Sequence, residues 1–236
     1  MTPRYLFLAL LLIGGVLVTD IAWAQSSTEI QTLKMLCDKG NADVCFILGV
    51  SYDKGEGVKQ DFFQAVDFYR KACDGGDADW CFNLGVMYYE GQGVKQDFFQ
   101  AVDLYRKACD GKEAIGCLKL GWMYEYGQGV KQDFVQAVDL YRKGCDGKEA
   151  TGCFNLGLMY FKGQGVKQDS FQAVDLYRKA CDGGFAGGCN MLGLAYQFGQ
   201  GVKQSVTDAL TYFGKACDLR DEAGCESYAK LNQQRR

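Results

Sequence analysis

From residue 41 onward two hydrophobic patterns alternate along the chain, and the pair recurs every 36 residues. In the first pattern Leu84, Gly85 and Tyr88 recur as Leu48/Gly49/Tyr52, Leu120/Gly121/Tyr124, Leu156/Gly157/Tyr160 and Leu192/Gly193/Tyr196. Leu and Tyr four residues apart share one face of a helix, which predicts helix A of each unit. A glycine inside a helix costs about 1 kcal/mol relative to Ala, so its recurrence implies a close helix approach that leaves no room for a Cβ. In the second pattern Phe98, Ala101, Val102 and Tyr105 form one stripe, while Asp103, Arg106 and Lys107 stand at spacings suited to exposed ion pairs. This predicts an amphipathic helix B. Between the two runs a Gly-x-Gly-Val turn, as in Gly91, Gly93 and Val94, is followed by Asp97 and Gln100, a capping-box-like helix start. Asp61/Gln64, Asp133/Gln136 and Asp169/Gln172 repeat it, and Ser205/Asp208 is a variant.

An amphipathic hairpin cannot bury its apolar stripe alone, and stacking on its neighbours does so. A fixed period in this range therefore predicts an all-α solenoid of antiparallel αα-hairpins. The expected layout is an initial helix near 28–38, repeats at about 41–76, 77–112, 113–148, 149–184 and 185–220, and a capping helix within 221–236, forming a single domain over 25–236. The stretch GVKQDFFQAVDFYRKACDG at 57–75 recurs almost letter for letter at 93–111, a mark of internal duplication.

The first residues change the picture. Arg4 precedes an apolar run from Tyr5 to Val18, and Ala22-Trp23-Ala24 offers small residues where a signal peptidase reads. Residues 1–24 are expected to be a cleaved signal peptide, leaving a secreted or periplasmic bacterial chain that starts near Gln25 and has no membrane segment. Removing them takes away one Arg and one Asp, so the formal charge stays at −3. A nearly balanced acidic chain gives nucleic acid no electrostatic reason to bind.

Export also sets the redox chemistry. The 12 cysteines keep the same period: Cys37, Cys73, Cys109, Cys145, Cys181 and Cys217, followed eight residues on by Cys45, Cys81, Cys117, Cys153, Cys189 and Cys225. Each pair spans the turn from one helix B to the next helix A, a bend that can bring two Cα atoms within disulfide range. Zinc is the competing reading, but the chain has no C-x-x-C and no histidine, and no metal or cofactor is expected.

The L-G-x-M-Y, G-x-G-V and A-V-x-L-Y-R-K-A-C segments resemble SEL-like repeats, relatives of tetratricopeptide repeats. The C-x7-C staple adds a narrower resemblance, to the Helicobacter cysteine-rich protein family. The resemblance implies a right-handed superhelix, export from a bacterial cell, and slow hydrolysis of penicillin-type β-lactams. Such repeats are elsewhere mostly interaction scaffolds.

The chemistry for an enzyme is sparse. With no histidine the Ser-His-Asp and Cys-His arrangements are absent, and bridged cysteines leave no thiol nucleophile. Two Ser-x-x-Lys matches exist, Ser51-Tyr52-Asp53-Lys54 and Ser227-Tyr228-Ala229-Lys230, without an accompanying Lys-Thr-Gly or Ser-Asp-Asn. No catalytic residue is assigned. Asp67, Asp103, Asp139 and Asp175 recur beside their own Arg and Lys, as on a solvated helix face.

Comparing the repeats with one another separates what serves the fold from what is free to vary. Helix B hardly varies. Helix A varies at the second, fifth, sixth and ninth positions after its cysteine, which fall on one stripe. In such solenoids helix A lines the concave surface, so the candidate groove comprises Asn83, Met87, Lys119, Trp122, Met123, Tyr126, Asn155, Met159 and Lys162. Asn offers a donor and an acceptor to an extended backbone, Lys can hold a carboxylate, and Met adapts to varied shapes. The expected function is a monomeric binding module for peptide, protein or cell-wall-derived ligands, with β-lactam hydrolysis as the alternative.

Overall fold

The computed structural model describes residues 18–75 and 78–234. Residues 1–17, which hold most of the expected signal peptide, lie outside the described residues; Val18–Ala24 form the start of the first helix. Among the described residues there are twelve α-helices and no strand. Helix α1 (Val18–Asp38) leads into five A/B hairpins. These are α2 (Ala42–Lys54) with α3 (Phe62–Asp74), α4 (Cys81–Glu90) with α5 (Phe98–Asp110), and α6 (Ala114–Tyr126) with α7 (Phe134–Asp146). They continue with α8 (Ala150–Lys162) and α9 (Ser170–Asp182), then α10 (Ala186–Phe198) and α11 (Val206–Asp218), before the terminal α12 (Glu222–Gln234). The initial helix extends N-terminally beyond the expected 28–38, and the last, Glu222–Gln234, lies within the expected 221–236. Among the described residues no helix is long and apolar enough to cross a membrane.

Each boundary has a local cause. Helix A stops where a glycine adopts the left-handed conformation, as Gly91 does at φ 73°, returning its N–H to the Met87 carbonyl. Helix B starts where Asp97 accepts hydrogen bonds from the backbone N–H groups of Phe99 and Gln100 at 2.9 and 3.1 Å. The intervening Gln96 donates its side-chain amide to the Tyr89 carbonyl at 2.8 Å, satisfying a carbonyl that the end of helix A leaves open. Gln60, Gln132, Gln168 and Gln204 do the same in the other hairpins.

The second glycine of the turn is required by its neighbour. A Cβ on Gly165, at φ 70°, would lie 2.2 Å from the Phe134 carbonyl oxygen, because the turn rides over the first residues of the preceding helix B. Inside helix A, a Cβ on Gly157 would lie 2.7 Å from the Tyr177 ring, which confirms the close approach expected from the recurring glycine. The tyrosines opposite these glycines, Tyr69, Tyr105, Tyr141 and Tyr177, are among the largest fully buried side chains. They belong to overlapping clusters that run along the stack.

One repeat departs from the pattern. Helix α4 begins only at Cys81, after a 3₁₀ turn at Ala78–Trp80. Trp80 occupies the position of Gly116, Gly152, Gly188 and Gly224, where a Cβ would lie 2.5–3.0 Å from the preceding helix B. An indole has no room there in regular helix geometry, and the Trp80 ring instead stacks on Phe46 at 4.0 Å.

Six disulfides, Cys37–Cys45, Cys73–Cys81, Cys109–Cys117, Cys145–Cys153, Cys181–Cys189 and Cys217–Cys225, close every junction as expected. Helices A approach one another across repeats, α6 with α8 and α10 with α12. They therefore form the inner layer of the stack, and the exposed members of their variable stripe, such as Lys119 and Lys162, lie on it.

Candidate functional site

The stripe of helix A is built on a floor contributed by helix B. At the seam between repeats the buried Tyr141 hydroxyl of α7 donates to the Glu125 carboxylate of α6, and Asn155 of α8 stands beside the same hydroxyl. Two repeats earlier the Tyr69 hydroxyl donates to Asp53 at 3.2 Å, with Asn83 in the place of Asn155. Burial, reinforced by the facing carboxylate, pushes both phenols above their ordinary value of 10.0. Tyr105 and Tyr177 are raised too, in both cases mainly by burial.

Between these seams lies a pocket of about 160 Å³ lined by Tyr89, Tyr105, Leu118, Lys119, Trp122, Met123, Thr151 and Asn155. It brings together Lys119, Trp122, Met123 and Asn155 from the sequence-derived stripe. Trp122 is held by an edge-on contact with Tyr89 at 5.9 Å and by Tyr126 at 4.8 Å. Tyr126 is 57% exposed and continues the aromatic wall out of the pocket. Lys119 is exposed, and Asn155 is half-buried. The pocket thus offers one ammonium, one amide with a free share of its hydrogen-bonding capacity, and flat aromatic walls. A carboxylate or backbone carbonyl beside an apolar side chain matches that set.

Asn83 and Lys162 fall on the same stripe but outside this pocket, toward its two ends, half-buried and exposed respectively. The methionines do not behave as expected. Met87, Met123 and Met159 are 2%, 1% and 1% exposed, so the structure places them in the core instead of presenting their thioethers to a ligand. The sixth position after the cysteine lies toward the helix B floor, and only Met123 reaches the pocket, at its base.

Tyr89, Tyr105 and Thr151 were missed by sequence reasoning. Tyr89 stands at the eighth position after its cysteine, where the hairpins carry Asp53, Tyr89, Glu125, Phe161 and Gln197. That spread is as wide as any on the stripe, so the signal was present. Tyr105 gave no such signal, because its position is tyrosine in four hairpins and reads as pure core.

The two Ser-x-x-Lys serines are far apart in the fold. Ser51 lies in α2, at the position that buries methionine in the next three hairpins, and Ser227 lies in α12 at the other end of the stack. All twelve cysteines are in disulfides, so none is free.

Similarity to known proteins agrees with this architecture. No curated protein matches the chain significantly. Among solved structures, a protective antigen of uropathogenic Escherichia coli with an SLR fold is 32% identical over 87% of this chain, at a TM-score of 0.83. The chain spans 44% of that protein's length. A Sel1 repeat protein from Oxalobacter formigenes is 27% identical, covers 85% of this chain and 81% of its own, and superposes at a TM-score of 0.74. Helicobacter pylori cysteine-rich protein B is 34% identical over 56% of this chain and 96% of its own, with a TM-score of 0.46. The Sel1 repeat model matches five successive segments, 42–77, 78–112, 114–148, 150–185 and 186–221, which correspond to the five hairpins and make the chain a scaffold of the kind suited to protein–protein binding. With three quarters of its residues in these matched repeats and every hairpin built on the same plan, this chain belongs to the Sel1 repeat family.

Proposed function

We propose that this chain is an exported binding module that holds an extended peptide segment, from a protein partner or the cell wall, against the inward stripe of its A helices. The observation that carries the reading is the pocket formed by Lys119, Trp122, Tyr89 and Asn155 on a surface that differs from repeat to repeat. Residues under no shared packing demand converge there on a cation, an amide and aromatic walls. The leader-like first 24 residues and the six junction disulfides support an oxidising compartment outside the cytoplasm.

The test is an array of peptides ending in free carboxylates, probed with the oxidised chain from residue 25. A binding peptide should lose at least about 30-fold in affinity to Trp122→Ala, as for a central aromatic anchor. It should lose less to Lys119→Ala and nothing to Arg106→Ala on helix B. Loss on Arg106→Ala with no effect of Trp122→Ala would place recognition on the outer layer and sink the proposal. A chromogenic β-lactam run beside the array tests the hydrolase alternative, which requires turnover that Ser51→Ala or Ser227→Ala abolishes.

A further inference from the structure

The buried tyrosines of the first and third hairpins face polar side chains of helix A on both sides, whereas the same positions around Tyr177 of the fourth are apolar. The positions that supply Asp53 and Asn83 to Tyr69, and Glu125 and Asn155 to Tyr141, are filled by Phe161 and Met191. Tyr177 is 2% exposed and its hydroxyl has no hydrogen-bond partner among the described residues. A buried hydroxyl without a partner is rare, because desolvation is then uncompensated, and each case calls for an explanation. Beside it the stripe changes character. The second, fifth, sixth and ninth positions of α10 are Met191, Leu194, Ala195 and Phe198, with no polar residue among them.

The sixth position has a further consequence. Where α4, α6 and α8 bury Met87, Met123 and Met159, α10 carries Ala195. Beside Ala195 lies a pocket of about 210 Å³ walled by Phe161, Tyr177, Met191, Leu194 and Phe198, with Ser170 and Gln200 also in its lining. An apolar cavity of about 150 Å³ is enough to admit benzene, so this one has room for a phenyl ring or a branched aliphatic side chain. Phe198, 62% exposed, stands at the edge of this pocket as an apolar wall open to solvent.

We infer that this pocket, formed by Ala195 in place of methionine and walled by the unpartnered Tyr177, is a second subsite that takes one large apolar side chain of a peptide, with a neighbouring carbonyl accepting the Tyr177 hydroxyl. The pocket combines an apolar wall with the polar groups of Tyr177, Ser170 and Gln200, the pairing that an amino-acid residue presents and a bare hydrocarbon does not. The inference deepens the peptide-binding reading by giving the groove an apolar anchor separate from the cation and amide at Lys119 and Asn155.

The experiment uses N-acetyl-phenylalaninamide as the probe, titrated into the oxidised chain from residue 25 and followed by NMR chemical shifts. Saturable shifts are expected for residues around Ala195. Ala195→Met restores the side chain that the neighbouring repeats carry, so it fills the pocket with a residue the fold accommodates, and it should weaken binding at least tenfold. Tyr177→Phe should weaken the amide probe severalfold while leaving toluene unaffected, and it also serves if Ala195→Met fails to fold. Lys119→Ala should leave the probe unaffected, so a failure of the array proposal at Lys119 and Trp122 is distinguishable from a failure here. No saturable binding, binding indifferent to both Ala195→Met and Tyr177→Phe, or tighter binding of hexanoate than of the amide would overturn the inference.

Discussion

Helix B and the inward stripe of helix A lie side by side in every hairpin, yet the sequence treats them in opposite ways. From α3 to α9 helix B reads FFQAVDFYRKACD, FFQAVDLYRKACD, FVQAVDLYRKGCD and SFQAVDLYRKACD. Over the same hairpins the second position after the helix A cysteine passes from Ile47 through Asn83 and Lys119 to Asn155. Helix B packs against the A helices of its own and the following repeat and is confined by both, while the stripe faces inward with one side free. The difference teaches that stability and recognition are divided between two layers of the same small unit, so each can be perturbed without the other.

The division breaks most severely where backbone meets backbone. Gly165→Ala places a Cβ 2.2 Å from the Phe134 carbonyl oxygen at a left-handed φ, and neither group is the end of a flexible side chain. Strain of about 1–3 kcal/mol from the dihedral is joined by a clash of similar size. The loss should be about 3 kcal/mol or more in chemical denaturation; a change below 1 kcal/mol would mean the turn can lift away from helix B. Gly157→Ala meets the Tyr177 ring instead and regains about 1 kcal/mol of helix propensity, so it should cost less.

The junctions come next. Replacing Cys145 and Cys153 together by alanine opens a bridge whose Cα atoms are 4.4 Å apart. The chain-entropy model gives about 2.5 kcal/mol for a loop this short. Because stability in repeat arrays is roughly a sum of repeat and interface terms, the double variant should melt earlier but keep its helicity at 25 °C. Full reduction of all six bridges should do far more, and circular dichroism with and without reductant separates the two.

These junctions were the most legible part of the molecule, because cysteines at an unbroken 36-residue period leave little freedom in how a hairpin stack can be arranged. The capping aspartates and both classes of glycine were legible for the same reason: each recurs where a single geometry repeats. The site was read less well. Asn155, Lys119 and Trp122 were found because they vary, but variation alone does not tell how deep a position lies. Met87 and Met159 share the stripe's spacing and are buried, since a stripe on a helix has two margins and only one faces the groove. Tyr105 escaped because a residue that packs identically in each repeat can still show one edge to a pocket. Trp80 likewise stands where four later repeats carry glycine against the preceding helix, and α4 begins only after it, a change that no local pattern encodes.

The seam between the layers titrates. Tyr69, Tyr105, Tyr141 and Tyr177 all have folded-state values raised above the ordinary 10.0. A raised value means the folded state holds the proton more tightly than the unfolded one. The associated stability is complete below about pH 10 and is lost as pH rises from there through the folded-state values. Each tyrosine contributes up to about 1.4 kcal/mol per pH unit in that window. Denaturation midpoints should therefore be flat from pH 7 to 9 and fall steeply above 10, with a shallower fall in Tyr177→Phe. At pH 7 the paired and unpaired tyrosines should separate. Tyr141→Phe removes the donor to Glu125 and should cost about 1 kcal/mol, whereas Tyr177→Phe removes a hydroxyl with no partner and should be neutral or stabilising.

The smallest expected effect on stability is the one that sharpens the comparison most. Lys119 and Lys162 are exposed on the stripe and take part in no ion pair among the described residues. Replacing either by alanine should shift stability by no more than about 0.5 kcal/mol, as for surface positions that make no shared contact. If lysine at these positions supported the fold, each substitution would lower the denaturation midpoint as Gly157→Ala does, and the two layers would not be separable. If the midpoints stay level while a bound peptide is weakened by Lys119→Ala, the same side chain is dispensable to the stack and required by the ligand. That outcome is what a surface relieved of packing duty predicts, and it cannot arise from a residue whose role is to hold helix A against helix B.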